Sequence, residues 1–129
     1  IKASRFWIEK GLTIYLRGIE NNPEHYKLWA DTGLLYQQRL HDFRQAAYYY
    51  QQATERPDCP VFFERFPALM DEEAGDDRAA FDAWTALWNR LTPEQRTEMQ
   101  HRPTPSDLAK IRGLEQRLSI PPEKRIFPN

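Results

Sequence analysis

Apolar residues near the start of the chain fall at Ile8, Leu12, Tyr15, Leu16 and Ile19, the three- and four-residue rhythm of one helical face. That pattern predicts a first helix over residues 3–20. Asn22-Pro23 closes it and opens the next. Asn22 has the side chain of an N-cap, and Pro23 suits a first helical position because its missing N–H would have no partner there. A second helix over residues 24–38 turns Leu28, Trp29, Leu35 and Tyr36 inward. A third, over 42–56, is capped by Asp42 and stopped by Pro57. The fourth, over 60–74, carries Pro67 inside it. A mid-helix proline removes a hydrogen bond and costs about 3 kcal/mol, so a kink is expected there. Gly75 supplies a left-handed ending. The fifth helix, over 76–91, is strongly apolar through Ala80, Phe81, Trp84, Leu87, Trp88 and Leu91. Thr92-Pro93-Glu94-Gln95 reads as a capping box that opens a short sixth helix, ending near residue 100. Residues 101–105 read as a linker, and 106–118 as a last helix through Leu108, Ile111, Leu114 and Leu118. Residues 120–129 read as an extended tail whose Ile126 and Phe127 dock on the body or on a partner.

The same residue types return after a fixed interval. Pro23 and Pro57, Trp29 and Phe63, Ala46 and Ala80, Tyr50 and Trp84, and Ala53 and Leu87 each stand 34 residues apart. Such a unit fits two antiparallel helices that pack on each other and on the next pair. A large aromatic sits early in the first helix, small residues where the helices cross closely, a large one a turn later, and a proline at the end.

These residues carry a family resemblance. Trp29-x-x-x-Gly33-x-x-Tyr36 resembles the first helix of a tetratricopeptide (TPR) unit, with Thr32 where the family usually has leucine. Asp42 through Ala53 resembles the second helix. Gly11-x₃-Tyr15-x₂-Gly18-x₄-Pro23 is similar to that second helix with glycines in its small positions, and Gly75 through Trp84 is a further copy. The pattern departs at the Arg39–His41 turn, at Pro67 in place of glycine, and at Leu87 in place of the second small residue. The resemblance implies an all-α, antiparallel helix-hairpin solenoid, a right-handed superhelix of about two and a half repeats plus C-terminal capping helices. In that reading residues 1–91 are repeats: the second helix of a unit at 3–21, a repeat at 24–57 and a repeat at 60–91. Residues 92–119 are capping helices and 120–129 a tail. The chain then begins within a repeat, and a preceding piece is expected, since Ile1 is not an initiator methionine; such a piece could carry a targeting signal or membrane anchor. A solenoid unit cannot bury its own face alone. An exposed apolar surface is therefore expected near Phe6, Trp7 and Ile14, open to self-association unless other residues cover it.

Composition narrows the function. A net charge of −1 argues against a general nucleic-acid binder, which needs a basic face. The charge is uneven: residues 58–82 carry 2 basic and 8 acidic side chains, between mildly basic ends. Cys59 is the single cysteine, so no internal disulfide forms and the redox compartment stays open between cytoplasm and envelope. No stretch approaches the roughly 18 apolar residues of a membrane span. The overall look of the repeats suggests a bacterial source.

The catalytic search returns little. His25, His41 and His101 lie in or near turns without a second ligand type at metal spacing. Cys59 lies at a helix start, where a thiol pKa can fall, but no histidine or second cysteine accompanies it. Asp71, Glu72, Glu73, Asp76 and Asp77 lack the ligand order of a calcium loop and read as a solvated turn. Tyr48-Tyr49-Tyr50 with Arg44 and Arg56 suggests a stacking platform for single-stranded RNA, but consecutive helical residues point in three directions, which favours packing. No cofactor, metal site or enzymatic activity is expected.

By resemblance, the first helix of each unit faces a concave groove where peptides lie. Carried over, the groove residues are Lys27, Ala30, Leu34, Gln37 and Gln38, then Val61, Glu64, Arg65, Ala68, Asp71 and Glu72. Lys27 and Arg65 lie near the places of the family's carboxylate clamp, but Ala30 and Asp31 stand where asparagine or lysine is needed, and Asp31 would repel a carboxylate. The acidic end favours a basic or mixed-charge protein segment, with charge setting specificity and on-rate. The expected function is a non-catalytic protein-interaction module, an adaptor or assembly subunit. The alternatives are an accessory region of a larger enzyme chain and, behind it, a single-stranded RNA-binding repeat.

Overall fold

The computed structural model describes residues 2–101 and 106–127, and within them the chain is all-helical, with seven α-helices and no strand. In order these are α1 (Lys2–Asn21), α2 (Tyr26–Gln38), α3 (Phe43–Thr54), α4 (Arg65–Glu73), α5 (Asp77–Arg90), α6 (Pro93–Gln100) and α7 (Ser106–Arg117). A 3₁₀ turn, Val61–Glu64, precedes α4, and another, Pro122–Lys124, lies in the C-terminal segment. Each helix from α1 to α5 packs on its sequence neighbour, and α7 then packs on α5. Residues 102–105 of the expected linker, and the last two of the tail, lie outside the described residues.

Several boundaries result directly from capping chemistry. Asp42 accepts a hydrogen bond from the Gln45 N–H at 3.1 Å and opens α3, and Asp76 does the same for Ala79 and α5. Thr92 and Gln95 exchange both capping-box bonds, at 2.9 and 3.2 Å. Gly75, at φ +84, ends α4: its N–H reaches Glu72 O and the Asp76 N–H reaches Asp71 O, which satisfies two terminal carbonyls.

Three expectations are corrected. Helix α2 starts at Tyr26 with His25 at its N-cap, so Asn22 and Pro23 lie in the preceding turn. The indole N–H of Trp29 donates to Pro23 O at 2.9 Å and ties that turn across the helix start. Second, Pro67 does not kink a helix. The chain breaks upstream into the 3₁₀ turn, and α4 begins afresh at Arg65, which places Pro67 in the first turn, where no N–H is needed. Third, the tail is not simply extended. It makes a 3₁₀ turn and buries Ile126 and Phe127 on the body, with the Ile126 N–H donating to Glu115 Oε2 at 2.7 Å and the Phe127 ring 5.1 Å from Trp88.

Positions 34 apart share the same fate: Ala46 and Ala80, Tyr50 and Trp84, and Ala53 and Leu87 are all buried. All but Ala53 belong to one of two clusters. The larger joins α4, α5, α6, α7 and the tail through Trp84, Leu87, Ile111, Leu114 and Phe127. The smaller joins α3 and α4 through Ala46, Ala47, Tyr50 and Met70, with Tyr36, Phe63 and Phe66 against it. Helix α1 buries Ile19 and leaves Phe6, Trp7 and Ile14 more than half exposed, the apolar surface expected from the repeat.

Candidate binding cleft

One face of α2 carries Tyr26, Lys27, Ala30, Asp31 and Leu34, at the one-, three- and four-residue intervals of a helical stripe. Opposite stand Phe63, from the 3₁₀ turn, and Phe66, from the first turn of α4; Tyr50 of α3 lies between. Together they line an open cleft of about 250 Å³. The rings fit edge to face: Tyr26 to Phe63 at 6.0 Å and Tyr50 to Phe63 at 5.8 Å, with Phe63 to Phe66 closer at 4.8 Å. Gly33 makes room for this arrangement. A Cβ on it would meet the Tyr50 ring at 2.9 Å, closer than carbon atoms approach, so glycine lets that ring lie against the backbone of α2. The Tyr50 hydroxyl then donates to Gln37 Oε1 at 2.6 Å. Its phenol is pushed up to about 12, first by burial and then by the nearby Asp31 carboxylate.

The sequence-derived groove residues divide between the two units. Lys27, Ala30 and Leu34 line the cleft, Gln37 holds Tyr50 from behind it, and Gln38 is exposed at the end of α2. Those from the second unit do not join them. Ala68 is fully buried and Val61 packs against the larger core. Glu64 pairs with Arg90. Arg65 grips Asp107 with two hydrogen bonds, at 2.7 and 2.8 Å. Glu72 pairs with Arg117, which also binds Asp77. Asp71 lines a separate hollow with Arg44, Tyr48 and Asp76. The acidic stretch expected to face a basic ligand is therefore partly neutralised within the chain by arginines of α5 and α7. The repeat register assigns Tyr50 and Phe63 to the core and gives no role to Tyr26 and Phe66. The visible signal for them is the spacing of Tyr26, Ala30 and Leu34, and of Phe63 and Phe66 just ahead of Pro67.

The candidate reactive groups lie apart from the cleft. The Cys59 thiol is pushed up to about 11, chiefly by burial and then by Asp58 and Glu64, opposite to activation at a helix start. His25 Nδ1 lies 3.5 Å from Asp58, and His101 Nδ1 2.8 Å from Thr97 O. Among the described residues no three His, Cys, Asp or Glu side chains converge as a metal site, and no helix is long and apolar enough to cross a membrane. The tyrosine triplet splits as its spacing requires. Tyr48 is exposed, Tyr49 stacks on Tyr36 at 5.4 Å and 10°, and Tyr50 is buried.

Neither a protein-family model, nor a curated protein, nor a solved structure matches this chain.

Proposed function

We propose that this chain is a protein-interaction module of the tetratricopeptide kind, which holds an extended segment of another protein in the α2–α4 cleft. The observation that carries this reading is the cleft itself. Three partly exposed rings, Tyr26, Phe63 and Phe66, and the 41%-exposed Leu34 form an apolar surface that faces solvent, backed by the buried Tyr50 ring, pre-shaped by Gly33 and fixed by a hydrogen bond on Tyr50. Exposed apolar surface in a concave, ordered setting is what a partner side chain can cover with little ordering cost. The repeat kinship is supported by the 34-residue register, in which small and large residues are buried at matching positions.

Selection of a random peptide library on the purified protein tests this. Enriched peptides should bind the parent and lose at least tenfold in affinity to Ala30→Trp, whose indole fills the cleft from the exposed side of α2. A library with no enrichment, or peptides indifferent to that substitution, would show that the cleft is not a docking site.

A further inference from the structure

The cleft sets an unmatched carboxylate among several aromatic rings. Most acidic side chains around the second hairpin are matched: Glu64 to Arg90, Glu72 and Asp77 to Arg117, Asp107 to Arg65. Asp31 makes no hydrogen bond or ion pair among the described residues. It stands half-buried in the wall of a cleft whose lining includes the rings of Tyr26, Tyr50, Phe63 and Phe66. Ring faces carry negative quadrupole density, and the carboxylate carries a full negative charge. Both attract a cation, and a neutral apolar side chain would leave Asp31 partly desolvated with nothing in return. Lys27 lines the same wall but is exposed on a long flexible stem, so it can turn into solvent when another cation arrives.

Resting on the cleft reading above, we propose that the residue it recognises is an arginine of the partner segment, its guanidinium against the aromatic wall and hydrogen-bonded to the Asp31 carboxylate. The planar fork suits this better than an ammonium. It stacks on rings, meets a carboxylate through two N–H groups at once, and gives up its hydration more readily. The chain uses the same chemistry internally: Arg56 lies 4.5 Å from the Trp29 ring centre and Arg96 lies 4.9 Å from that of Trp88.

The peptides enriched in the library selection provide the test. Arginine should dominate one position, flanked by apolar residues. In a synthetic peptide from that pool, replacing this arginine by citrulline, which keeps the shape and removes the charge, should weaken binding about tenfold or more, and lysine should weaken it by less. Asp31→Asn should lose roughly tenfold for the arginine peptide, lose nothing for the citrulline peptide, and flatten the salt dependence of binding. Lys27→Met should tighten binding by about twofold. Asp31 is not in a core cluster, so the asparagine variant should keep the parental circular dichroism and melting temperature. Enriched peptides without arginine, citrulline binding within twofold of arginine, or an Asp31→Asn variant with parental affinity would each overturn the arginine assignment and leave the cleft as a docking site. A library with no enrichment removes both readings together.

Discussion

Where the first hairpin places Tyr50, the second places Trp84, and the two rings meet different surroundings. Tyr50 has glycine in front of it, a glutamine on its hydroxyl and an open cleft at its side. Trp84 is fully buried, its indole N–H has no hydrogen-bond partner among the described residues, and Pro67 occupies the register position of Gly33. The elements flanking each hairpin explain the difference. The second is covered by α7 and the tail, which bring Ile111, Leu114, Ile126 and Phe127 onto it and clamp it with Arg65–Asp107 and Arg117–Asp77. The first is bounded by α1, which buries Ile19 and holds its neighbour through the close approach of Gly18 to Leu28, but leaves open space beside Gly11, where an added Cβ would meet no neighbouring element within 4 Å among the described residues. One structural unit thus gives a sealed core when capped and an open cleft when left uncovered.

The strongest way to break this contrast is Trp84→Ala. It removes the largest fully buried side chain of the larger cluster and should cost about 4 kcal/mol, read as a loss of the urea midpoint or of folded protein altogether. Asp107→Ala removes the anchor of α7 on α4 and leaves Arg65 half-buried without its partner. Solvent reaches part of this pair, so the expected loss is about 2 kcal/mol. Hydrogen exchange should accelerate in α7 and the tail first, while the amides of α2 and α3 keep their protection. Equal acceleration throughout would mean that the two halves do not differ in how they are held.

Gly33→Ala attacks the open half. The added methyl pushes the Tyr50 ring aside, and the expected cost is about 1–2 kcal/mol despite alanine's better helix propensity. It should also weaken peptide binding. A stabilised variant would mean that the close approach is relaxed in solution.

The smallest effect concerns Asp71, between the halves. Its carboxyl is raised from 3.8 to about 6, first by burial and then by Asp76, with Arg44 pulling the other way. A carboxyl with a higher pKa in the folded than in the unfolded chain resists ionisation on folding. It lowers stability fully above pH 6, and the penalty fades as pH falls from about 6 towards 4. Asp71→Asn should therefore gain about 1 kcal/mol at neutral pH, discounted for partial exposure, and nothing below about pH 4. Asp77 works in the opposite sense. Its hydrogen bonds from Arg117 hold its pKa below 3.8, so its contribution is present above that pH and is lost as pH falls through its lowered folded value. Denaturation curves of both proteins across this range check the sign.

Half of the cleft was legible before the fold was known. Lys27, Ala30 and Leu34 share a helical stripe, and a stripe is a property of spacing alone. The far wall was not legible, because Phe63 and Phe66 face α2 only once the 3₁₀ turn ahead of Pro67 sets their direction. Nor was the fate of the acidic stretch. Arg65 and Asp107 are 42 residues apart, and Arg117 reaches Asp77 across 40, distances over which sequence carries no pairing signal.

Local chemistry alone determined the helices, their caps at Asp42, Asp76, Thr92 and Gly75, and the 34-residue register, because hydrogen bonds to a helix end and the turn of a helix act within a few residues. Tertiary structure alone decided which hairpin would be sealed, which charges would be neutralised, and that Asp31 would be left with aromatic rings for company. Those outcomes depend on which surfaces meet after the chain folds back on itself, and burial and pairing across tens of residues are set by that meeting.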